Sequence, residues 1–252
     1  MNIRWDAEKY TSDFSFVHRY GNSVTELIDA PSNSTVLDLG CGNGALSKVL
    51  QEKGFQVIGL DASKELLDIA RKNNPEIRFI QGDATDFSLE KLVDVVFSNA
   101  VFHWIDEQRQ QAMLQCVYSA LKQHGQFVFE FGGSQNNRLI HEALAGVFAE
   151  HQYPYNHPFY FPTIGEYASR LESAGFRVVY ALLFDRMTEL KGENGLKDWI
   201  HMFVKTPFSV VKSKAEQEVM IDAAVKRLQE KLYRNGKWYS DYVRLRMKAV
   251  KE

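Results

Sequence analysis

The sequence predicts a doubly wound α/β fold, in which helices cover both faces of a mostly parallel sheet. Short apolar runs alternate with helix-like segments over the first half of the chain, as in consecutive βαβ units. A glycine-rich turn from Gly40 to Gly44 separates the first apolar run from the first helical pattern. The chain has 252 residues, 45% of them hydrophobic, which is enough to bury one large core.

The elements follow this alternation in order. Residues 1–30 are expected to be helical. Strands are predicted at Thr35–Leu39, Phe55–Leu60, Ile77–Ile80, Asp94–Asn99, Phe127–Phe131, Arg177–Phe184 and Lys237–Met247. Helices are predicted at Ala45–Lys53, after an N-cap at Ser63, and at Asp106–Leu121, 135–151, Thr163–Ala174 and 195–233. The chain therefore reads as a single domain with helical insertions after the fifth and sixth strands.

Composition excludes several classes of protein. Thirty Lys and Arg against 32 Asp and Glu give a net charge of −2, so no global basic field attracts nucleic acid or membrane. The two cysteines, Cys41 and Cys116, lack zinc-ligand spacing, and we expect no metal site. No signal peptide begins the chain, and no apolar run approaches the roughly 20 residues needed to span a bilayer. We expect a cytoplasmic protein.

The glycine turn is the strongest functional signal. Gly40 and Gly42 permit positive φ and let a ligand approach the backbone, at the strand ends where open α/β sheets bind ligands. Gly40-x-Gly42-x-x-Ala45 also fits a dinucleotide fingerprint. Asp38, however, would repel a pyrophosphate and suits a cofactor that carries an ammonium and a sulfonium. The alternative is a turn that serves only helix–strand packing.

Two further acidic positions follow the second and third strands. Asp61, followed by Ala62, is able to accept two hydrogen bonds from a ribose diol. Both NAD and S-adenosylmethionine contain a ribose diol, so Asp61 does not distinguish between these cofactors. The alternative is that Asp61 only places a favourable negative charge at a helix N-terminus. Asp83 is a candidate acceptor for an adenine amine, with the Ala84 amide on a ring nitrogen. Its alternative is an ordinary loop aspartate.

The fourth strand ends in an unusual segment. Asn99 and Ala100 precede three ring-bearing residues, Phe102 to Trp104. We expect this segment to wall a cofactor pocket. The alternative is that Phe102 and Trp104 only fill the core.

Together, the segments DLGCGNG, GLDAS, GDA and DVVFSNAVFHW resemble the class I S-adenosylmethionine-dependent methyltransferases over residues 35–131. The opening WDAEKY…FSFV, the NAVFHW loop and the chain length are similar to the trans-aconitate methyltransferase-like subgroup. Asn43 stands where a proline is common in that subgroup, and FHW replaces the usual LQW.

The resemblance implies a Rossmann-like, seven-stranded sheet with an antiparallel last strand. It implies one methyltransferase domain over residues 1–252, with N-terminal lid helices (1–30), a cofactor-binding core (31–131) and substrate-side insertions (132–175 and 185–236). The implied cofactor is S-adenosylmethionine. The implied cofactor-binding residues are Asp38, Gly40, Gly42, Asp61, Ala62, Asp83, Ala84, Asn99, Ala100, Trp104 and, from the lid, Tyr10 and Phe14.

The expected reaction is methyl transfer to a small molecule, a carboxylic acid of the trans-aconitate type. A carboxylate acceptor needs no general base, whereas a hydroxyl or amine acceptor can require one. His103 is then the candidate by position, and the alternative is a polar wall residue. Arg244 or Arg246 is a candidate for binding the carboxylate; the alternative is that the basic residues of 226–252 only form a solvated helix face and edge strand. The alternatives are another acceptor (hydroxyl, carbon, amine or macromolecule), an NAD-dependent oxidoreductase and a non-catalytic cofactor-binding module. We expect a monomer or weak dimer.

Overall fold

The structure is a computed structural model that describes residues 16–252, with side chains from residue 21 onward. The strands are β1 (Thr35–Leu39), β2 (Gln56–Asp61), β3 (Arg78–Gln81), β4 (Val93–Asn99), β5 (Leu121–Gly132), β6 (Phe176–Leu190), β7 (Tyr233–Arg234) and β8 (Lys237–Lys251). The helices are α1 (Phe16–Thr25), α2 (Ala45–Glu52), α3 (Lys64–Asn73), α4 (Gln110–Ala120), α5 (Arg138–Glu150), α6 (Ile164–Ser173), α7 (Gly195–Phe203) and α8 (Lys214–Leu232). Short 3₁₀ turns occupy Phe102–Trp104, Glu107–Arg109 and Pro207–Val210.

The sheet has the strand order β3-β2-β1-β4-β5-β8-β6. Strands β1 to β5 pair in parallel, and β8 runs antiparallel between β5 and β6. The predicted fold class is therefore confirmed. The order reverses direction between β1 and β4, and sheets of this kind bind ligands at such a switch point.

The two C-terminal strands of the sheet are longer than predicted. The predicted strand at Arg177–Phe184 extends to Leu190, and the last strand continues beyond Met247 to Lys251. Strands β6 and β8 pair with each other along the whole length of β6. The residue pattern within either segment does not reveal this pairing, so the sequence predicts shorter strands. The two-residue strand β7 adds a hairpin to β8 through Asn235 and Gly236, both with positive φ.

The predicted helix at Asp106–Leu121 starts later in the structure than the sequence predicts. A 3₁₀ turn covers Glu107–Arg109, and the α-helix begins only at Gln110. The buried Gln110 side chain donates to the carbonyls of Phe102 and Ile105, at 2.8 Å each. These bonds fix where the helix starts relative to the preceding turn.

The two largest apolar clusters among the described residues lie against different parts of the sheet. One packs α4 and α6 against the sheet around Phe102, Phe127 and Tyr167. The other joins α5, α7 and α8 to the first half of β8 around Trp199 and Leu228. The helical insertions thus form a cap beside the carboxyl ends of the parallel strands. Within residues 16–252, no helix combines the length and the apolar character that a membrane crossing requires.

Candidate functional site

The glycine turn connects β1 to α2 at the switch point. Gly40 has φ +78°, and a Cβ on it would lie 2.2 Å from Cγ2 of Val101. Both conformation and close packing therefore require glycine there. At Gly42, which also has positive φ, the nearest atom to an added Cβ would be a Leu66 methyl at 4.0 Å. Packing thus accounts for Gly40, while the space beside Gly42 is open enough to receive a ligand.

Two buried carboxylates flank this turn. Asp38 accepts a 2.6 Å hydrogen bond from the Ser47 hydroxyl. Asp61 accepts one from the Gly42 amide at 2.9 Å through Oδ2 and one from the Ser63 amide at 2.8 Å through Oδ1. Each carboxylate oxygen has two lone pairs, so Asp61 retains acceptor capacity on both oxygens while it also orders the turn.

The electrostatics of the turn favour a cation. Burial raises the pKa of Asp38 to about 7, with the hydrogen bond from Ser47 opposing this and the charge of Asp61 adding to it. Burial likewise raises the pKa of Asp61 against the lowering effect of its backbone donors. A positively charged ligand would relieve this cost, whereas a pyrophosphate would increase it.

Asp83 lies in the loop after β3, near the end of β2. Its Oδ1 accepts from both the amide and the hydroxyl of Thr85, at 2.8 Å each, and its Oδ2 forms an ion pair with Arg109 at 3.2 Å. Burial raises the pKa of Asp83, but the hydrogen bonds from Thr85 and the charge of Arg109 outweigh it and hold this pKa below its usual value. Sequence reasoning missed Arg109, because an arginine 26 positions away carries no local signal. The neighbouring Ala84 is buried, and the Ala62 carbonyl accepts from Gln81 at 3.3 Å.

The end of β4 meets the turn from the other side. The Ser98 hydroxyl donates to the Leu39 carbonyl at 2.7 Å, which joins the ends of β4 and β1. Ala100 has φ +62°, a strained conformation for alanine that often marks a functional site. Its amide donates to the Glu130 carbonyl at 2.7 Å. Helix α1 approaches here too, because a Cβ on Gly21 would lie 3.1 Å from Nδ2 of Asn99.

A second group of residues forms a separate cavity that begins at Ala100. We call it the aromatic cavity; it is lined by Ala100, His103, Trp104, Asn136, Asn137, Phe159, Phe161, Trp199, Phe203, Tyr242 and Arg244. The expected pocket residues therefore divide into two groups. One group lies in or beside the glycine turn and consists of Asp38, Gly40, Gly42 and Asp61. Trp104 instead lies in the aromatic cavity. The lid residues Tyr10 and Phe14 lie outside the described part of the chain.

The two candidate arginines have different surroundings. Arg244 lines the aromatic cavity, is only 7% exposed, and has its guanidinium carbon 4.1 Å from the centroid of the Tyr242 ring. Arg246 instead binds the buried carboxylate of Glu130 at 2.7 Å, together with Arg186. Arg246 is thus committed to an internal ion pair, and Arg244 is the arginine that faces the cavity.

His103 lies in the same cavity and has one nitrogen engaged. Its Nδ1 accepts a hydrogen bond from the Gly132 amide at 3.3 Å. Burial and then the charge of Arg244 hold the pKa of His103 well below its usual value. The imidazole is therefore neutral near pH 7, with its proton on Nε2, because an accepting Nδ1 carries none. In this state Nε2 is a hydrogen-bond donor, which argues against the role of general base.

Comparison with known proteins matches this chain to methyltransferases. Residues 36–125 match a family model described as a methyltransferase domain. An uncharacterized methyltransferase of Schizosaccharomyces pombe (strain 972) is 30% identical over 98% of each chain. A trans-aconitate 2-methyltransferase of Enterobacter sp. (strain 638) is 27% identical over 73% of this chain and 72% of that protein. A TehB-like SAM-dependent methyltransferase structure from Corynebacterium glutamicum shares the fold, with a TM-score of 0.56, 18% identity and 98% coverage of each chain.

Proposed function

Because the chain belongs to the class I S-adenosylmethionine-dependent methyltransferases, we propose that it transfers the methyl group of this cofactor to a carboxylate of a small molecule. A carboxylate acceptor is supported by the position of Arg244, which is a buried cation in a cavity that adjoins the end of β4. Guanidinium groups bind carboxylates through paired, charge-assisted hydrogen bonds. The trans-aconitate enzyme among the relatives also acts on an acid, as its name states.

The proposed cofactor contacts follow the chemistry of the turn. Asp38 and the backbone at Gly40 and Gly42 bind the methionine part, and Asp61 and Ala62 bind the ribose. Asp83 and Ala84 bind the adenine, and Asn99 and Ala100 lie beside the amino group. Two buried carboxylates beside an open glycine turn support these assignments. When bound, the cofactor supplies an electrophilic methyl group.

The protein contributes orientation and the exclusion of water to this reaction. A carboxylate is ionised at neutral pH and is already a nucleophile, so no base is required. Arg244 orients it, and the neutral His103 donates a hydrogen bond from Nε2. The surrounding rings keep water out of the cavity, which strengthens both interactions. This division of roles agrees with the depressed pKa of His103.

The first prediction concerns pH and the cofactor. Since the pKa of Asp38 is about 7 without ligand, a cationic cofactor must displace a proton below that pH. Its affinity should therefore rise with pH up to about 7 and then level off, and it should be roughly tenfold weaker at pH 6 than at pH 7.5. Calorimetric titration at several pH values measures this. In Asp38→Asn, binding should be weaker and most of the slope lost; an unchanged slope would rule out Asp38 as its source.

The second prediction tests the acceptor atom. The protein is incubated with methyl-labelled S-adenosylmethionine and separate pools of carboxylic acids, alcohols and amines. We expect label in the acid pool, in a product that mild alkali converts to volatile labelled methanol, as it does for a methyl ester. Added S-adenosylhomocysteine should suppress the signal. A product stable to alkali would assign methylation to another atom and reject the proposal.

Composition bears on the substrate class and the compartment of this methyltransferase. A net charge of −2 favours a small-molecule substrate over nucleic acid. Both cysteines are free thiols, which suits a reducing cytoplasm. We propose a monomer or weak dimer. The alternatives are hydroxyl, carbon, amine or macromolecular acceptors and cofactor binding without turnover; the labelling experiment separates hydroxyl acceptors, amine acceptors and the absence of turnover.

A further inference from the structure

Seven of the eleven residues that line the aromatic cavity carry rings. Trp104 lies with its ring centroid 4.8 Å from that of Phe159 and 6.1 Å from that of Phe203. Phe159 and Phe161 stack at 5.3 Å with an interplanar angle of 23°. Such a surface favours an apolar body, and each methylene that it removes from water gains roughly fourfold in affinity.

The polar groups of the cavity are few and mostly engaged. The Asn136 side-chain oxygen accepts from the Val243 amide at 2.9 Å, and that of Asn137 accepts from the Ser240 hydroxyl at 2.7 Å. His103 is neutral. Among the described residues that line the cavity, Arg244 alone carries a positive charge. Among these residues Arg244 offers a cation to one carboxylate, whereas a second carboxylate in contact with them would be desolvated against rings.

A pair of rings limits the length of the cavity. Phe159 and Phe161 line both this cavity and an outer groove that also contains His141, Tyr155 and His157. Phe161 is held in place against the backbone, since a Cβ on Gly132 would lie 2.5 Å from its ring. These two phenylalanines therefore form a partition between the two spaces.

We infer that the substrate is a monocarboxylic acid with an apolar body, whose length is limited by the Phe159–Phe161 partition. This inference rests on the proposed carboxylate methylation and narrows it. It separates this chain from the relative named for trans-aconitate, which is a tricarboxylate. The carboxylate lies at Arg244, and the hydrocarbon body lies among Trp104, Trp199 and Phe203.

Tryptophan fluorescence gives a direct test, because Trp104 and Trp199 line the cavity. The full chain, saturated with S-adenosylhomocysteine, is titrated with 3-phenylpropanoate, hexanoate, trans-aconitate, propane-1,2,3-tricarboxylate and 3-phenylpropanamide. We expect phenylpropanoate to bind at least about tenfold more tightly than either tricarboxylate and than its own amide. Tricarboxylates that bind as well or better, or no binding by either monocarboxylate, would overturn the inference.

The partition is tested by Phe161→Ala, with Phe55→Ala as the matched control. Phe161 is half-buried in a loop, and Phe55 is half-buried before β2, outside the cavity. Phe161→Ala should raise the affinity for decanoate relative to hexanoate about tenfold, through the added room for methylenes. Phe55→Ala should leave that ratio unchanged. A ratio that does not move in Phe161→Ala would contradict the assigned partition.

The outcomes also separate this inference from the proposed function. If labelled methyl esters form but tricarboxylates are the better substrates, only the apolar class is wrong. If the labelled product is stable to alkali, carboxylate methylation itself is wrong, whatever binds in the cavity.

Discussion

Replacement of Asp61 by alanine is expected to weaken S-adenosylmethionine binding about a hundredfold. Its carboxylate is buried, accepts from the Gly42 and Ser63 amides, and keeps lone pairs for the two ribose hydroxyls. Hydrogen bonds to a charged group contribute about 1.5–3 kcal/mol each, so losing two of them weakens binding by at least about this factor. The alanine also leaves both turn amides without their acceptor.

Calorimetry on three variants makes the Asp61 result specific. Asp68→Ala removes an exposed carboxylate on α3 that pairs with Lys64 and Arg71, and it should bind the cofactor normally. Asp61→Asn keeps an acceptor for one amide but loses the charge, so its affinity should fall between those of the wild type and Asp61→Ala. A thermal melt verifies that each variant is folded. Normal affinity in folded Asp61→Ala would show that the ribose binds elsewhere.

The parts of the site that could be predicted from sequence are those fixed by neighbouring residues. The bounds of β1 agree with the prediction, because an apolar run followed by Asp38 and three glycines restricts the backbone locally. Asp61 was identifiable for the same reason, since it ends a short buried strand and precedes the N-cap Ser63. Local steric and capping rules are enough to predict such positions.

The parts that could not be predicted depend on strand register. Arg244 and Arg246 are two positions apart on β8 and therefore share a face of the sheet. Arg246 stands opposite Glu130 and pairs with it, while Arg244 stands opposite Gly132 and lines the aromatic cavity. That register joins segments more than 100 residues apart. The sequence alone left both arginines as candidates, and nothing local showed that Trp104 would line the same cavity as one of them.

Arg244 is the residue assigned to bind the substrate carboxylate, and its replacement is the second large effect we expect. In Arg244→Gln the cavity loses the one cation among its described lining residues, so a carboxylate would enter without its charge partner. We expect kcat/KM for the acid to fall about a hundredfold, mostly through KM, with cofactor affinity unchanged. Arg244→Lys should recover part of this, because it restores the charge but not the paired geometry. Arg177→Gln, which alters a largely exposed arginine on β6, is the matched control.

The most direct measurement is therefore kcat/KM for methyl ester formation in Arg244→Gln and Arg177→Gln, with the cofactor dissociation constant determined for both. The account predicts a loss of about a hundredfold in Arg244→Gln alone, at an unchanged cofactor dissociation constant. Full activity toward the acid in folded, cofactor-binding Arg244→Gln would contradict it, because the carboxylate would then be held by other residues.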